Sequence, residues 1–212
     1  MGVKVWSKVA VALQSALAAA VSASAISKAN PGVLTHAGAS PTNGDYVLLK
    51  VQGMTQVDFR VVRVAGATAT TFQLEGVDTT LFDTFSSGTF EKITFGTSIT
   101  SATDFTTSGG DFDQIDVTTI HDAIKKQIPG SANALTVNGN LLWDPAEAAQ
   151  IALKASSDTK SQLAVRITFA DNTRALFVGY VGFSGVPTGQ AQGRVDTPLT
   201  ITAFGLPTYY AT

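Results

Sequence analysis

The dipeptide Asp144-Pro145 constrains this chain most, because it marks the start of the one segment that reads clearly as a helix. Asp144 can accept hydrogen bonds from backbone N–H groups that a first helical turn leaves free. Pro145 suits the first helical position, where its missing N–H costs nothing. Glu147 stands where a capping box places its second acid, near the positive end of the helix dipole. Ala146, Ala148, Ala149, Gln150, Leu153 and Lys154 favour helix, and Ala148, Ile151, Ala152 and Ala155 form an apolar stripe at helical spacing. The pattern predicts a helix from Pro145 that ends in the polar turn Ser156-Ser157-Asp158-Thr159.

Strand patterns flank this helix. Leu135, Val137, Leu141 and Trp143 lead into it, and Trp143 reads as a core anchor beneath it. Beyond it, Leu163, Val165, Ile167 and Phe169 fall on one face. Ala170-Asp171-Asn172-Thr173 signals a hairpin. The returning strand alternates Phe177, Gly179, Val181 and Phe183 against Leu176, Val178 and Tyr180. One helix against an antiparallel sheet is the core of a β-rich domain.

Residues 26–94 read as a unit of their own. Turn signals at Asn30-Pro31-Gly32, Asn43-Gly44-Asp45, Gln52-Gly53, Ala65-Gly66-Ala67 and Ser86-Ser87-Gly88 separate five short strand patterns. These are Val33 to His36, Tyr46 to Val51, Phe59 to Val64, Thr71 to Leu74 and Phe90 to Phe95. Short strands with tight turns predict a small, strongly bent barrel. Thr94 to Asp104 then reads as a strand, and the polar stretch from Ser108 to Gln127 as a long loop with a short helical turn near Thr118 to Lys125. A loop of that length in a compact domain is usually functional or flexible. The Gly-rich connection Ser184 to Val195 precedes a closing strand, Thr197 to Phe204. Tyr209 and Tyr210 then offer aromatic surface to a neighbour.

Chemistry-bearing patterns are sparse. Asp111, Asp113 and Asp116 lie beside Gly109-Gly110, but their spacing does not match a calcium loop and reads as a solvated or interface segment. His36 and His121 are far apart, and His121-Asp122 adjacency alone makes no relay. Neither a nucleophile elbow nor a phosphate or dinucleotide glycine motif is present. The chain has no Cys, which excludes disulfide and thiol chemistry. No catalytic, metal or cofactor residue is therefore expected, and an enzyme has no supporting constellation. Only 14% of residues are charged, well below the roughly 25% of an average globular protein. A weakly charged β-rich surface suits one covered by neighbouring copies. The formal charge of −2, without a basic patch, argues against gripping nucleic acid.

The order of strand, Trp143-Asp144-Pro145 helix, Asp171-Asn172-Thr173 hairpin and Gly179-Tyr180-Val181 resembles the central part of the tail tube proteins of long, non-contractile-tailed bacteriophages. The Thr- and Val-rich strand Val195 to Ala203 with its Gly205-Leu206-Pro207 turn strengthens the resemblance. Asn30-Pro31-Gly32-Val33-Leu34-Thr35, Asn43-Gly44-Asp45-Tyr46-Val47, Gly53-Met54 and Thr71 to Asp78 resemble the small barrel named for the first catalytic cysteine half-domain, copies of which occur in phage virion proteins. No catalytic role follows from that name.

The resemblance implies a mainly β fold: a β-sandwich or barrel tail-tube domain with one flanking helix, formed by residues 1–25 and 95–212. A five- to six-stranded barrel, 26–94, would be inserted in it. It implies an unprocessed N-terminus, with Val3 to Leu13 as a strand followed by an irregular crossing. It also implies homo-hexameric rings stacked into a tube, made in the host cytoplasm and built into the virion. Tape measure, tail terminator and distal tail proteins would be partners, and viral DNA would pass through without specific binding. No membrane is involved. The long loop would touch the next ring, which makes Asp111, Phe112, Asp113, Ile115, Asp116 and Ile120 candidate contacts, with Tyr209 and Tyr210.

Another reading fits a β-rich chain. Lys4 and Lys8 precede an Ala/Val/Leu-rich run, and Ala23-Ser24-Ala25 imitates a signal-peptide cleavage site, although Gln14 and Ser15 interrupt the apolar run. A secreted or surface β-domain would bind carbohydrate or protein through Tyr46, Tyr180, Tyr209 and Tyr210.

Overall fold

The computed structural model describes residues 8–211. Its strands are β1 (Ala10–Leu17), β2 (Val21–Ile26), β3 (Val33–His36), β4 (Tyr46–Gln52), β5 (Val61–Ala65), β6 (Thr71–Leu74), β7 (Ser87–Ile99), β8 (Ala102–Ser108), β9 (Phe112–Asp116), β10 (Gln127–Ala132), β11 (Thr136–Leu142), β12 (Gln162–Thr168), β13 (Arg174–Gly182), β14 (Thr188–Gly189), β15 (Val195–Ala203) and β16 (Thr208–Tyr210). The helix α1 spans Ala148–Thr159. The expected strand from Val3 lies outside the described residues up to Ser7. The Ala-rich run that follows forms β1 and β2, both extended, where an irregular crossing was expected after Leu13.

Six strands close into a small barrel in the order β2-β3-β6-β5-β4-β7, with β2 returning to β7 through Val21↔Phe90. Its interior holds Leu34, Val47, Leu49, Met54, Val62, Phe72, Leu74 and Phe90. β2 thus joins the five strands expected between Val33 and Phe95, the last of which is the first half of β7. Thr79, wholly buried, ties the loop between β2 and β3 into this barrel: its hydroxyl donates to Ser27 O at 2.7 Å and accepts from Ala29 N–H at 3.1 Å.

The second half of β7 continues into a larger antiparallel sheet, β7-β1-β12-β13-β15-β11-β8. Val11, Leu13, Val137, Leu141, Leu163, Val165, Phe177, Val181, Leu199 and Ile201 fill its interior, and α1 covers them with Ala149 and Leu153. The hairpin at 169–173 forms as expected, with Asn172 at φ 65°, a conformation Asn tolerates.

A third cluster fuses the two bodies. Tyr46 and Leu48 of β4, Val61 of β5 and Ile93 of β7 meet Ala164, Leu176, Val178 and Tyr210. β4 and β13 are therefore apolar on both faces, one toward their own interior and one toward this seam. Their near-continuous runs, Tyr46 to Leu49 and Ala175 to Val178, are the pattern of strands buried on both sides. Gly205 lies against the barrel at φ 102°, where a Cβ would come 2.5 Å from Phe59 O. That close approach explains the Gly in the closing turn, which carries β16 back onto β13.

Four expectations near the helix are corrected: its start, its end, its buried stripe and the place of Trp143. Asp144 and Pro145 form a turn that precedes α1. Ala146 N–H donates to Asp144 Oδ1 at 2.9 Å, and Glu147 N–H donates to Asp144 O at 3.1 Å. The helix begins three residues later and runs through Thr159 to a left-handed cap at Lys160, where Ser161 N–H donates to Ser156 O. Its buried residues are Ala149, Gln150, Leu153 and Ser156, so Ile151 faces outward instead of into the core. Trp143 is 40% exposed rather than buried beneath the helix, and its Nε1–H donates to Gly185 O at 3.0 Å.

Candidate assembly surface

Two strands of the structure belong to neither body. β9 and β10 pair only with each other, in register Asp116↔Gln127 and Ile115↔Ile128, and form an arm between β8 and β11. Gly109 and Gly110, at φ 82° and 88°, turn the chain out of β8; a Cβ on Gly109 would meet Ala134 O at 2.2 Å. The return is held by Gly110 N–H to Asn133 O (3.1 Å) and Asn133 N–H to Asp111 O (2.8 Å).

The tip is ordered by short polar side chains, not by the short helix expected there. Asp122 Oδ2 accepts from Thr119 N–H at 3.0 Å and from its hydroxyl at 2.9 Å, and Asp122 N–H returns to Thr119 O. Lys126 pairs with Asp122. These bonds hold the Asp122 carboxyl below its ordinary range, with Lys126 the largest cause; Thr118 does the same for Asp116 through its hydroxyl and N–H. The tip is thus a fixed turn with charge on its framework and apolar side chains outside it. Ile120 is 96% exposed and Ile124 79%, and Phe112, Ile115, Val117 and Ile128 are also exposed. Exposed apolar side chains gathered in this way mark an interaction surface.

The arm gathers six of the eight expected contact residues: Asp111, Phe112, Asp113, Ile115, Asp116 and Ile120, all exposed. Asp113 and Asp116 are used separately. Asp113 Oδ1 accepts from Asn133 Nδ2 (3.2 Å) and Asp116 Oδ1 from Thr118 N–H (2.8 Å). Among the described residues, no group of His, Asp and Glu side chains converges as metal ligands would. Ile124 and Val117 were missed, although their apolar character inside a polar stretch was a usable signal.

The two C-terminal tyrosines part company. Tyr209 is 68% exposed, as a contact residue should be. Tyr210 is 5% exposed because alternation on β16 turns it into the seam, where its hydroxyl accepts from Arg63 N–H at 2.6 Å and the Arg63 guanidinium lies 4.6 Å from its ring centre. Burial, the main cause, pushes its phenol up to about 12. Tyr210 therefore packs within its own chain. Tyr46 is buried beside it, so the four tyrosines do not make a surface platform.

At the opposite end of β11 the chain is tied down tightly. Thr94 to Asp104 was expected as one strand; instead it breaks at Thr100-Ser101, where Glu147 captures the link between β7 and β8. Glu147 Oε1 accepts from Thr100 N–H and Oγ1, both at 2.8 Å, and Oε2 accepts from Ser101 Oγ. Gln150 Nε2 donates to Leu142 O at 2.6 Å and to Glu147 Oε2 at 3.0 Å. Burial raises the Glu147 carboxyl, but the bonds from Ser101, Thr100 and Gln150 outweigh it and hold the group below its ordinary range.

The chain is thus two fused β bodies with a projecting arm that exposes apolar side chains. The model of phage tail tube proteins matches residues 52–212, and the chain belongs to that family. It is a structural component of a phage tail, and so of the virion. No curated protein matches the chain. No helix among the described residues is long and apolar enough to cross a membrane.

Proposed function

We propose that six copies form a ring, that rings stack into the tail tube, and that the bore is the passage for viral DNA. The observation that carries this reading is the arm, whose tip side chains Ile120 and Ile124 are almost uncovered by the described residues of their own chain. Lateral association has its own support. Thr94 to Ile99 of β7 are paired with β1 on one side, and no described strand occupies the other. An open strand edge of this kind is a template for pairing with another chain, and cyclic symmetry satisfies it in every copy at once. The arm residues from Asp111 to Ile120 and Tyr209 are the contact set, without Tyr210.

In this reading the small barrel is an insertion held on the outside of the wall by the seam. The tube meets tape measure, terminator and distal tail proteins at its bore and ends. Weak overall acidity suits a bore that must not hold a polyanion. Negative-stain microscopy and mass photometry of the purified chain provide the test. Six-membered rings or tubes with an axial channel are expected. A chain that stays monomeric at high concentration, or a bore lined by Lys and Arg, would overturn the proposal.

A further inference from the structure

A groove of about 420 Å³ runs beside α1, lined by Trp143, Pro145, Ile151, Ala155, Phe183 and Gly185. It is mostly apolar and open to solvent. Its place in the fold is informative. The arm joins β11 at Thr136, whereas Trp143 follows its last residue, Leu142. Arm and groove thus lie at opposite ends of a strand about 20 Å long. The arm leaves the sheet with its residues exposed except Asp122 and Gly130, which are half-buried, so it does not fold back over the described part of its own chain.

We infer that this groove receives the arm tip of another copy of the same chain, with Ile120 and Ile124 as the inserted side chains. The inference rests on the tube reading and names the acceptor for the arm. The two surfaces match in polarity. At the tip Lys126 is paired with Asp122, and Lys125, with no ion pair among the described residues, is the cation placed to meet Asp144, which follows the groove residue Trp143 in sequence; Asp111, Asp113 and Asp116 lie farther back on the arm. A contact that joins one end of a subunit to the opposite end of the next is heterologous. Repeated, it builds an open stack and not a closed pair. Growth along the tube axis is then a property of one strand, β11, that carries plug and socket at its two ends.

The chain has no Cys, so single cysteines can report the contact. Ile124→Cys and Ile151→Cys are prepared separately, checked for native circular dichroism, mixed under mild oxidation and resolved on a non-reducing gel. Leu81→Cys, fully exposed on the small barrel, replaces Ile151→Cys as control. The Ile124/Ile151 mixture is expected to give at least tenfold more mixed dimer than the control, and the double variant a ladder, because a disulfide requires Cα atoms within about 7 Å. Tubes in the microscope with cross-linking at control level would remove the groove assignment and leave the tube reading standing. Absence of any self-association would remove both. Cross-linking of Ile124→Cys only to itself, or preferentially to Leu81→Cys, would also overturn the assignment.

Discussion

Replacing Tyr210 by Ala tests whether the seam makes one stability unit of the two bodies. The residue is next to the end of the described chain, where fraying is the usual expectation. Yet it is almost fully buried, its ring lies 6.5 Å from that of Tyr46, its hydroxyl accepts a backbone hydrogen bond from β5, and the strand that carries it is paired with β13. Removing a buried aromatic side chain costs about 3–5 kcal/mol through lost burial and the cavity left behind. For a chain of this size that is a fall in Tm of roughly 6–20 °C. Tyr209→Ala, one position away but on the exposed face, is expected to stay within about 0.5 kcal/mol of wild type. Thermal melts followed by circular dichroism, at concentrations where light scattering shows monomers, measure both without a contribution from assembly. Protonation adds a second reading. The phenol is raised in the folded chain to about 12. Below about pH 10 the phenol is neutral in both folded and unfolded chains, and its full contribution is present. Between about 10 and 12 only the unfolded chain loses the proton, so stability falls by about 1.4 kcal/mol per pH unit. Tyr210→Phe should lack that share of the alkaline loss. Equal effects of Tyr209→Ala and Tyr210→Ala, or an unchanged alkaline slope in Tyr210→Phe, would refute the seam as described.

Glu147→Ala should destabilise by about 1–2 kcal/mol, since it removes the acceptor for Thr100 and Ser101; urea titration measures it. Because the Glu147 carboxyl is lowered by folding, its contribution is present above the ordinary glutamate range and is lost as pH falls through its folded value, so the gap between variant and wild type should close in acid. His36→Leu should raise stability by about 1 kcal/mol in the same assay, because the buried imidazole sits between Phe72 and Phe90, with neither ring nitrogen hydrogen-bonded among the described residues. Gly53→Ala should cost more than about 1 kcal/mol, since Gly53 has φ 87° and a Cβ there would lie 2.3 Å from Thr84 O; a neutral outcome in thermal melts would contradict the turn geometry.

Local pattern was sufficient for much of this molecule. Period-two alternation located β12 and β13, turn residues separated β3, β4, β5 and β6, and the polar stretch after Ser108 was legible as an outlying segment. Those features depend on neighbours in sequence. The start of α1 was not legible: Asp144-Pro145 satisfies every local requirement of a helix start, but Glu147 is drawn sideways to Thr100 and Ser101, residues 47 and 46 positions away. The buried stripe then falls on Ala149 and Leu153, and Ile151 is left outside.

Residue types and their spacing determined that the chain is β-rich, without disulfide or thiol chemistry, and equipped with a long polar segment after Ser108 that stands apart from the main strand patterns. Tertiary structure alone decided that one β7 serves both bodies, that Tyr210 turns inward while Tyr209 turns outward, and that arm and groove occupy opposite ends of β11. The physical reason is that an apolar side chain records only that it needs cover. Whether the cover comes from its own sheet, from a second body of the same chain or from another copy depends on where the backbone carries it.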